Sequence, residues 1–183
     1  MTALLVIDVQ KDYFPGGRME LTGSMEASEK IKKLIAFFRE VKKPVIHVQH
    51  ISKGPDASFF LPGTEGIEFH ENVSPEGDEK VVQKNFPNGF RNTDLDAYFK
   101  NNGIKTLVIA GMMTHMCIDT TVRAAFDLGY GCVLLGDCCA TRDLSINGRT
   151  VTSENVQNAF LAALNGTFAK VMNSEEYMEE KLT

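Results

Sequence analysis

Short apolar runs alternate along this chain with longer stretches whose apolar positions recur at helical spacing. The first run, Ala3 to Val9, is nearly continuous Leu, Val and Ile, the pattern of a strand covered on both faces. A Pro15-Gly16-Gly17 loop follows. A helix is then predicted from about Ser24 to Val41, where Ile31, Leu34, Ile35 and Phe38 form one apolar stripe. Pro44 introduces a second strand, Val45 to Gln49, and further strands are expected at Lys80 to Lys84, Thr106 to Gly111, Cys132 to Gly136 and Phe168 to Val171. Between them, Asn92 or Thr93 is expected to cap a helix through Lys100 that carries Leu95 and Phe99 inward and ends at Gly103. Thr114 is expected to cap another, with Ile118, Val122, Ala125 and Phe126 as its core stripe and Gly129 as its stop. A helix near Ser153 to Leu164 and a short acidic tail helix complete the pattern. Strands alternating with helices in this way predict βαβ units. The expected fold is α/β, a three-layer α/β/α arrangement with a mostly parallel central sheet, formed as a single domain over residues 1–183.

One stretch stands outside the alternation. Residues 52 to 78 hold Pro55, Pro62, Pro75 and four glycines with little periodicity. Structureless loops longer than about 12–15 residues are uncommon in compact domains and are often functional, so this one is expected to line or cover a site.

Composition narrows the function. The chain has 183 residues, 43% of them hydrophobic, enough to bury a core without disulfide or metal. Asp and Glu (24) outnumber Lys and Arg (19), and no basic cluster appears, which argues against a nucleic-acid partner. No apolar run approaches the roughly 20 residues of a membrane span, and the N-terminus lacks the basic start of a signal peptide. A cytoplasmic location follows as the expectation, with Cys117, Cys132, Cys138 and Cys139 as thiols. Their spacing fits no paired C-x-x-C metal site.

In open parallel sheets, ligands bind beyond the carboxyl ends of the strands, so reactive side chains at those ends matter most. Asp8 ends the first apolar run, Lys84 ends the strand Lys80 to Lys84, and Cys117 lies just beyond the strand that closes at Gly111. Each has an ordinary reading by itself: a carboxylate accepting loop N–H groups, a solvent-facing lysine, a small core thiol. Together they bring an acid, an amine and a thiol to one edge. With Thr114 as cap, Cys117 would sit where backbone N–H groups and the helix dipole favour a thiolate, and a lysine would lower the thiol pKa further. A thiolate beside a carboxylate is an activated nucleophile with a proton shuttle.

The residues around these three carry a resemblance. Asp8-Val9-Gln10-Lys11-Asp12-Tyr13-Phe14 resembles the D-x-Q-x-D-F stretch of the isochorismatase-like cysteine hydrolases. Lys84 to Phe90 is similar to that family's K-x-x-x-S/N-x-F segment, Gly111 to Ile118 to its G-x-x-T-x-x-C-V motif, and Gly136 to Ala140 to its D-A-x-A/C stretch. The resemblance implies the isochorismatase-like hydrolase fold and a catalytic triad of Asp8, Lys84 and Cys117. It implies a non-proline cis peptide at Met112-Met113 and an oxyanion hole formed by the backbone N–H groups of Met113 and Cys117. It also implies a homo-oligomer, a dimer or larger, acting on a small-molecule substrate. The family includes amidases acting on small amides, and its true isochorismatases usually lack the cysteine, so the resemblance implies that Cys117 favours C–N hydrolysis of an amide, carbamoyl or imide bond.

Departures from the family shape the rest. Nicotinamidases carry a D-x-H metal pair after the second strand, and here His50 and Ser52 stand in its place. His47 and His50, three apart on an extended segment, point to opposite faces and read as core or loop residues; no metal or other cofactor is expected. Phe14, Phe60, Phe90 and His115 are the expected substrate-pocket residues, Cys132, Cys138 and Cys139 packing residues. Two other readings stay open. One is a zinc-assisted nicotinamidase type with ligands such as His50 and His70; the other is a non-catalytic module that binds a small molecule on the same fold.

Overall fold

The computed structural model describes residues 1–182. Six strands form one parallel sheet in the order β3-β2-β1-β4-β5-β8: β1 Thr2–Ile7, β2 Val45–His50, β3 Lys80–Lys84, β4 Thr106–Met112, β5 Gly131–Ala140 and β8 Lys170–Met172. The chain begins in the middle of the sheet, winds outward through β2 and β3, then returns to the other side of β1 as β4. The order therefore reverses between β1 and β4, and the crevice at such a switch point is where ligands bind in open α/β sheets.

Side-chain alternation explains why both faces of β1 are apolar. Leu4 and Val6 point into a core shared with Ile31, Leu34, Ile35 and Phe38 of helix α1 (Ser24–Glu40). Ala3, Leu5 and Ile7 point into a second core with Leu95 and Phe99 of α2 (Leu95–Asn101) and Val122 and Ala125 of α3 (Asp119–Asp127). Burying each such Leu, Ile or Phe contributes about 1.5–3 kcal/mol, so the central strand is anchored from both sides. Helices α4 (Ser153–Leu164) and α5 (Ser174–Leu182) complete the layers. None of the described helices is long and apolar enough to cross a membrane.

At the switch point β1 and β4 approach so closely that only glycine fits. Gly111 has φ +133°, and a Cβ there would lie 2.0 Å from the Ile7 carbonyl oxygen.

The structure corrects several details. Asn92 has φ 57° and caps nothing; α2 starts at Leu95, whose N–H meets Thr93 Oγ1 at 3.4 Å. Thr114 is not a helix cap. It opens a wide turn, Thr114–Ile118, and its hydroxyl reaches the Ala140 carbonyl (3.2 Å) and Gln157 Oε1 of α4 (2.6 Å). Phe126 is 42% exposed, its ring edge-on to Phe168 instead of in the core stripe. β5 continues past Gly136, because a register shift after Ile109 lets Cys139 and Ala140 pair with Gly111 and Met112. A hairpin absent from the periodicity, β6 (Leu144–Ile146) with β7 (Arg149–Val151), turns through Asn147 and Gly148, both at positive φ. The last strand starts two residues later and ends one residue later than its apolar run suggested.

Candidate active site

Asp8, Lys84 and Cys117 meet at the carboxyl edge of the sheet. Asp8 follows β1 and turns off its line with φ 52°, its N–H still bonded to the Val48 carbonyl at 3.0 Å. Lys84 is the last residue of β3, and Cys117 lies in the turn after β4. All three are buried: Asp8 at 0%, Lys84 at 1% and Cys117 at 4% exposure.

Lys84 is the hub. Its Nζ lies 2.6 Å from Asp8 Oδ2, 2.8 Å from His50 Nδ1 and 3.2 Å from Cys117 Sγ. An ammonium has donors only, so His50 Nδ1 accepts and its ring hydrogen belongs on Nε2. The Asp8–Lys84 contact is a charge contact, and neither buried Asp8 oxygen receives a well-directed hydrogen bond. The lone pairs of these buried oxygens are open to a further donor. A suitable donor stands close: a carboxylate oxygen of Asp8, a ring nitrogen of His50 and Cys117 Sγ lie within 4.8 Å of one another.

The electrostatics reverse one expectation. Burial, then the Asp8 charge, push the Cys117 thiol pKa well above its ordinary range, and Lys84 opposes them without prevailing. The depressed thiol pKa expected from a helix cap is not found; Thr114 caps no helix, and Cys117 is buried. Burial alone would also drive Lys84 towards its neutral form, but Asp8 and Cys117 outweigh it and hold the ammonium above its usual pKa. His50 is pushed down to about 4 by burial and then by Lys84, against the pull of Asp8. The resting site holds a thiol, an ammonium and a neutral imidazole.

The other polar residues of the first motif build the frame. Gln10 is fully buried; its Nε2 donates to the carbonyls of His50 and Ile67, both at 2.9 Å, and its Oε1 accepts from the His50 N–H at 2.7 Å. Asp12 accepts from the Phe60 N–H at 2.6 Å and the Arg18 N–H at 3.2 Å. These two side chains stitch the 52–78 stretch to the edge of the sheet. The leading sequence reading left His50 as a core or loop residue, and only the zinc-assisted alternative brought it to the site. The register of β2 on β3, which sets His50 against Lys84, is what would have found it. Sequence reasoning also missed Tyr13, buried against Phe60 with ring centroids 4.6 Å apart.

The expected pocket residues divide. Phe60 is fully buried with its ring 5.7 Å from that of His50. Phe14 stacks on His70 at 3.8 Å in a separate cleft of about 720 Å³, which none of Asp8, Lys84 and Cys117 lines. Phe90 is not a wall of the cysteine site; its ring packs with Phe99 and Tyr130, the latter at the amino end of β5. His115 bonds Thr141 Oγ1 through Nδ1 at 2.6 Å and faces Phe160 of α4. The Met112–Met113 peptide is cis. Cys132, Cys138 and Cys139 are buried thiols outside the cluster, and His47 pairs with Glu79 at 2.9 Å on the opposite face of β2.

Asp8, His50 and Cys117 are also the donor set a metal could use among the described residues, and His70 does not join them. The fit is poor, because Lys84 Nζ already contacts an atom of each. A metal ion on these atoms would have to displace a buried ammonium.

Comparison with known proteins places this geometry. The Isochorismatase domain matches residues 2–176. The uncharacterized isochorismatase family protein YddQ of Bacillus subtilis (strain 168) is 50% identical over 178 residues, 97% of this chain and 99% of that one. The structure of an isochorismatase-family protein from Oleispira antarctica superposes with a TM-score of 0.93 at 46% identity, over 97% of this chain and 96% of the other. More distant is the ureidoacrylate amidohydrolase RutB of Acinetobacter baylyi, 27% identical over 171 residues, 75% of this chain and 70% of that one. With the family matched over residues 2–176 of its 183, this chain belongs to the isochorismatase family of hydrolases.

Proposed function

We propose that this protein is a cysteine hydrolase that cleaves a C–N bond in a small amide, carbamoyl compound or imide through a thioester. The observation that carries the reading is the buried contact of Lys84 Nζ with both Asp8 Oδ2 (2.6 Å) and Cys117 Sγ (3.2 Å). The amidohydrolase among the relatives supports the choice of bond.

Asp8 removes the Cys117 thiol proton as the sulfur attacks the substrate carbonyl carbon. The transfer leaves one negative charge beside Lys84 throughout, moved from oxygen to sulfur, so the ammonium stabilises both ends of the step. The carbonyl oxygen gains charge and is held by the N–H groups of Met113 and Cys117; such a donor is typically worth about 2.7–4 kcal/mol. Collapse of the tetrahedral adduct breaks the C–N bond, and the leaving nitrogen takes the proton from Asp8. Water then gives a proton to Asp8 and attacks the thioester. The C–S bond breaks, the sulfur recovers the proton, and the acid product leaves. The net change is addition of one water across the C–N bond.

The test is turnover of a panel of small amides, carbamoyl compounds and cyclic imides, with intact-mass detection of an acyl adduct on Cys117. Turnover with a trapped adduct, both lost in Cys117→Ala, supports the reading. A ligand that raises the melting temperature while no panel member turns over favours the binding module instead. Activity lost on chelation and regained with Zn²⁺ supports the zinc-assisted reading.

A further inference from the structure

We propose that His50 is a positioning residue of this site: its neutral ring accepts one hydrogen of the Lys84 ammonium on Nδ1 and so holds the ammonium in place between Asp8 and Cys117. The ring geometry stands by itself; the effect on turnover rests on the cysteine-hydrolase reading. An ammonium on a lysine stem turns freely about its last bond, and two acceptors leave its third hydrogen without a partner. In water that hydrogen would be solvated. Lys84 is 1% exposed, so an unpaired hydrogen there carries a desolvation cost and invites the group to rotate away. The ammonium donates to His50 Nδ1 at 2.8 Å and to Cys117 Sγ at 3.2 Å, and its charge contact with Asp8 Oδ2 at 2.6 Å completes its surroundings.

The ring is itself held for this task. The Cα of His50 is paired with that of Lys84 in the β2–β3 ladder, and Gln10 grips both its N–H (2.7 Å) and its carbonyl (2.9 Å). Phe60 packs near its ring. A fixed backbone and a packed ring leave Nδ1 little freedom. A protonated ring would set a donor against a donor. Burial and Lys84 disfavour that state, while Asp8, 3.9 Å from Nδ1, favours it weakly. Nothing in the Asp8, Lys84 and Cys117 trio alone calls for a histidine here; the unpaired hydrogen does.

Two readouts test this in the full-length protein. In protein labelled with ¹⁵N-histidine, the His50 ring should be the Nε2–H tautomer at pH 7, and its Nδ1 signal should move in Lys84→Met. His50→Asn, whose side-chain oxygen can reach the place of Nδ1, should keep kcat within about threefold of wild type, while His50→Leu should lower kcat about 10- to 100-fold with KM little changed, as for the loss of one hydrogen bond to a charged group. An Nδ1–H tautomer overturns the proposal, as does a His50→Leu variant with wild-type kcat. Equal losses in folded Asn and Leu variants overturn it too, because the acceptor would then not be what matters. If no amide turns over in the wild type, the hydrolase reading falls, and the tautomer and its response to Lys84→Met alone decide the His50 role.

Discussion

The Asp12 carboxylate reaches 48 residues along the chain to accept the Phe60 N–H at 2.6 Å, and Gly66 lies against it so closely that a Cβ would fall 2.3 Å from its oxygens. This contact ties the 52–78 stretch, irregular in sequence, to the segment that follows β1. Phe60 holds φ 54°, strained for a residue with a side chain, so something must fix it. Asp12→Asn replaces one acceptor oxygen by an NH₂ that must face either the Phe60 or the Arg18 N–H. The expected cost is about 1–3 kcal/mol of stability, the penalty for leaving a buried donor unpaired. Urea unfolding followed by fluorescence checks it. An unchanged midpoint would show that the loop is held elsewhere, by Gln10 and Gln49 on the Ile67 carbonyl.

Asp8 has opposite effects on two properties of Cys117. In the proposed mechanism it accepts the thiol proton; as a nearby negative charge it raises the thiol pKa. Asp8→Asn removes both. The thiol pKa should fall towards the value Lys84 favours, so alkylation of Cys117 by iodoacetamide at pH 8 should speed up. Amide turnover should fall about 10²–10⁴-fold, the usual worth of a positioned acid–base group. Peptide mass spectrometry of the four cysteines gives the first quantity, with Cys132 as internal reference. A fall in both would mean that Asp8 activates the sulfur already in the resting state.

What could be read from the sequence follows from what is local. Ala3 to Val9 reads as a central strand because burial on both faces demands an unbroken apolar run, and Ile31 to Phe38 reads as a helix because one face must meet that sheet. The edge carrying Asp8, Lys84 and Cys117 was legible for the same reason, since parallel strands bring their carboxyl ends together. His50 was not. Its place beside Lys84 depends on the β2–β3 register, and nothing near residue 50 encodes that pairing. The acidity of Cys117 was misjudged because a first-turn position predicts dipole stabilisation, whereas enclosure of the sulfur is a property of the whole fold. The β6–β7 hairpin was overlooked although Asn147-Gly148 is its turn signal, because the flanking strands are three residues each and carry no clear alternation.

Gly111 tests how tightly the switch point is built. Its φ of +133° is strained for any other residue, and a Cβ would meet the Ile7 oxygen at 2.0 Å and the Ile7 nitrogen at 2.7 Å. Both obstacles are backbone atoms of the central strand and cannot rotate aside. Gly111→Ala must therefore push β1 from β4, moving Asp8 relative to the turn that bears Cys117. Loss of soluble protein, or a melting temperature lowered by well over the roughly 2–4 °C that 1 kcal/mol produces in a chain of this size, is expected. A variant with wild-type melting would show that the two strands can separate freely at this point.

Across β2 from the cysteine cluster, acid should loosen the fold through a different set of charges. Glu79 is bonded by Arg39 Nε (2.8 Å) and Nη2 (2.9 Å), by the Glu76 N–H (2.9 Å) and by His47 Nε2 (2.9 Å), while Arg39 also holds Glu76. Burial alone would raise the Glu79 pKa, but these partners overrule it and bring it down to about 2. His47, fully buried, is lowered by burial against the pull of Glu79. Both folded-state pKa values thus lie below the unfolded ones, and in the acid range the unfolded chain binds more protons. Stability from His47 is complete above about pH 6.5 and declines as pH falls below it; stability from Glu79 is complete above about pH 4.5 and is lost towards pH 2. For Glu79 the loss is on the order of 3 kcal/mol. Unfolding free energies measured by urea titration from pH 8 to pH 3 should be level above pH 7, bend downward near 6.5 and steepen below 4.5. Glu79→Gln should be less stable at neutral pH and lack the steep acid limb. If its acid limb matches that of the wild type, the protons responsible bind at other carboxylates.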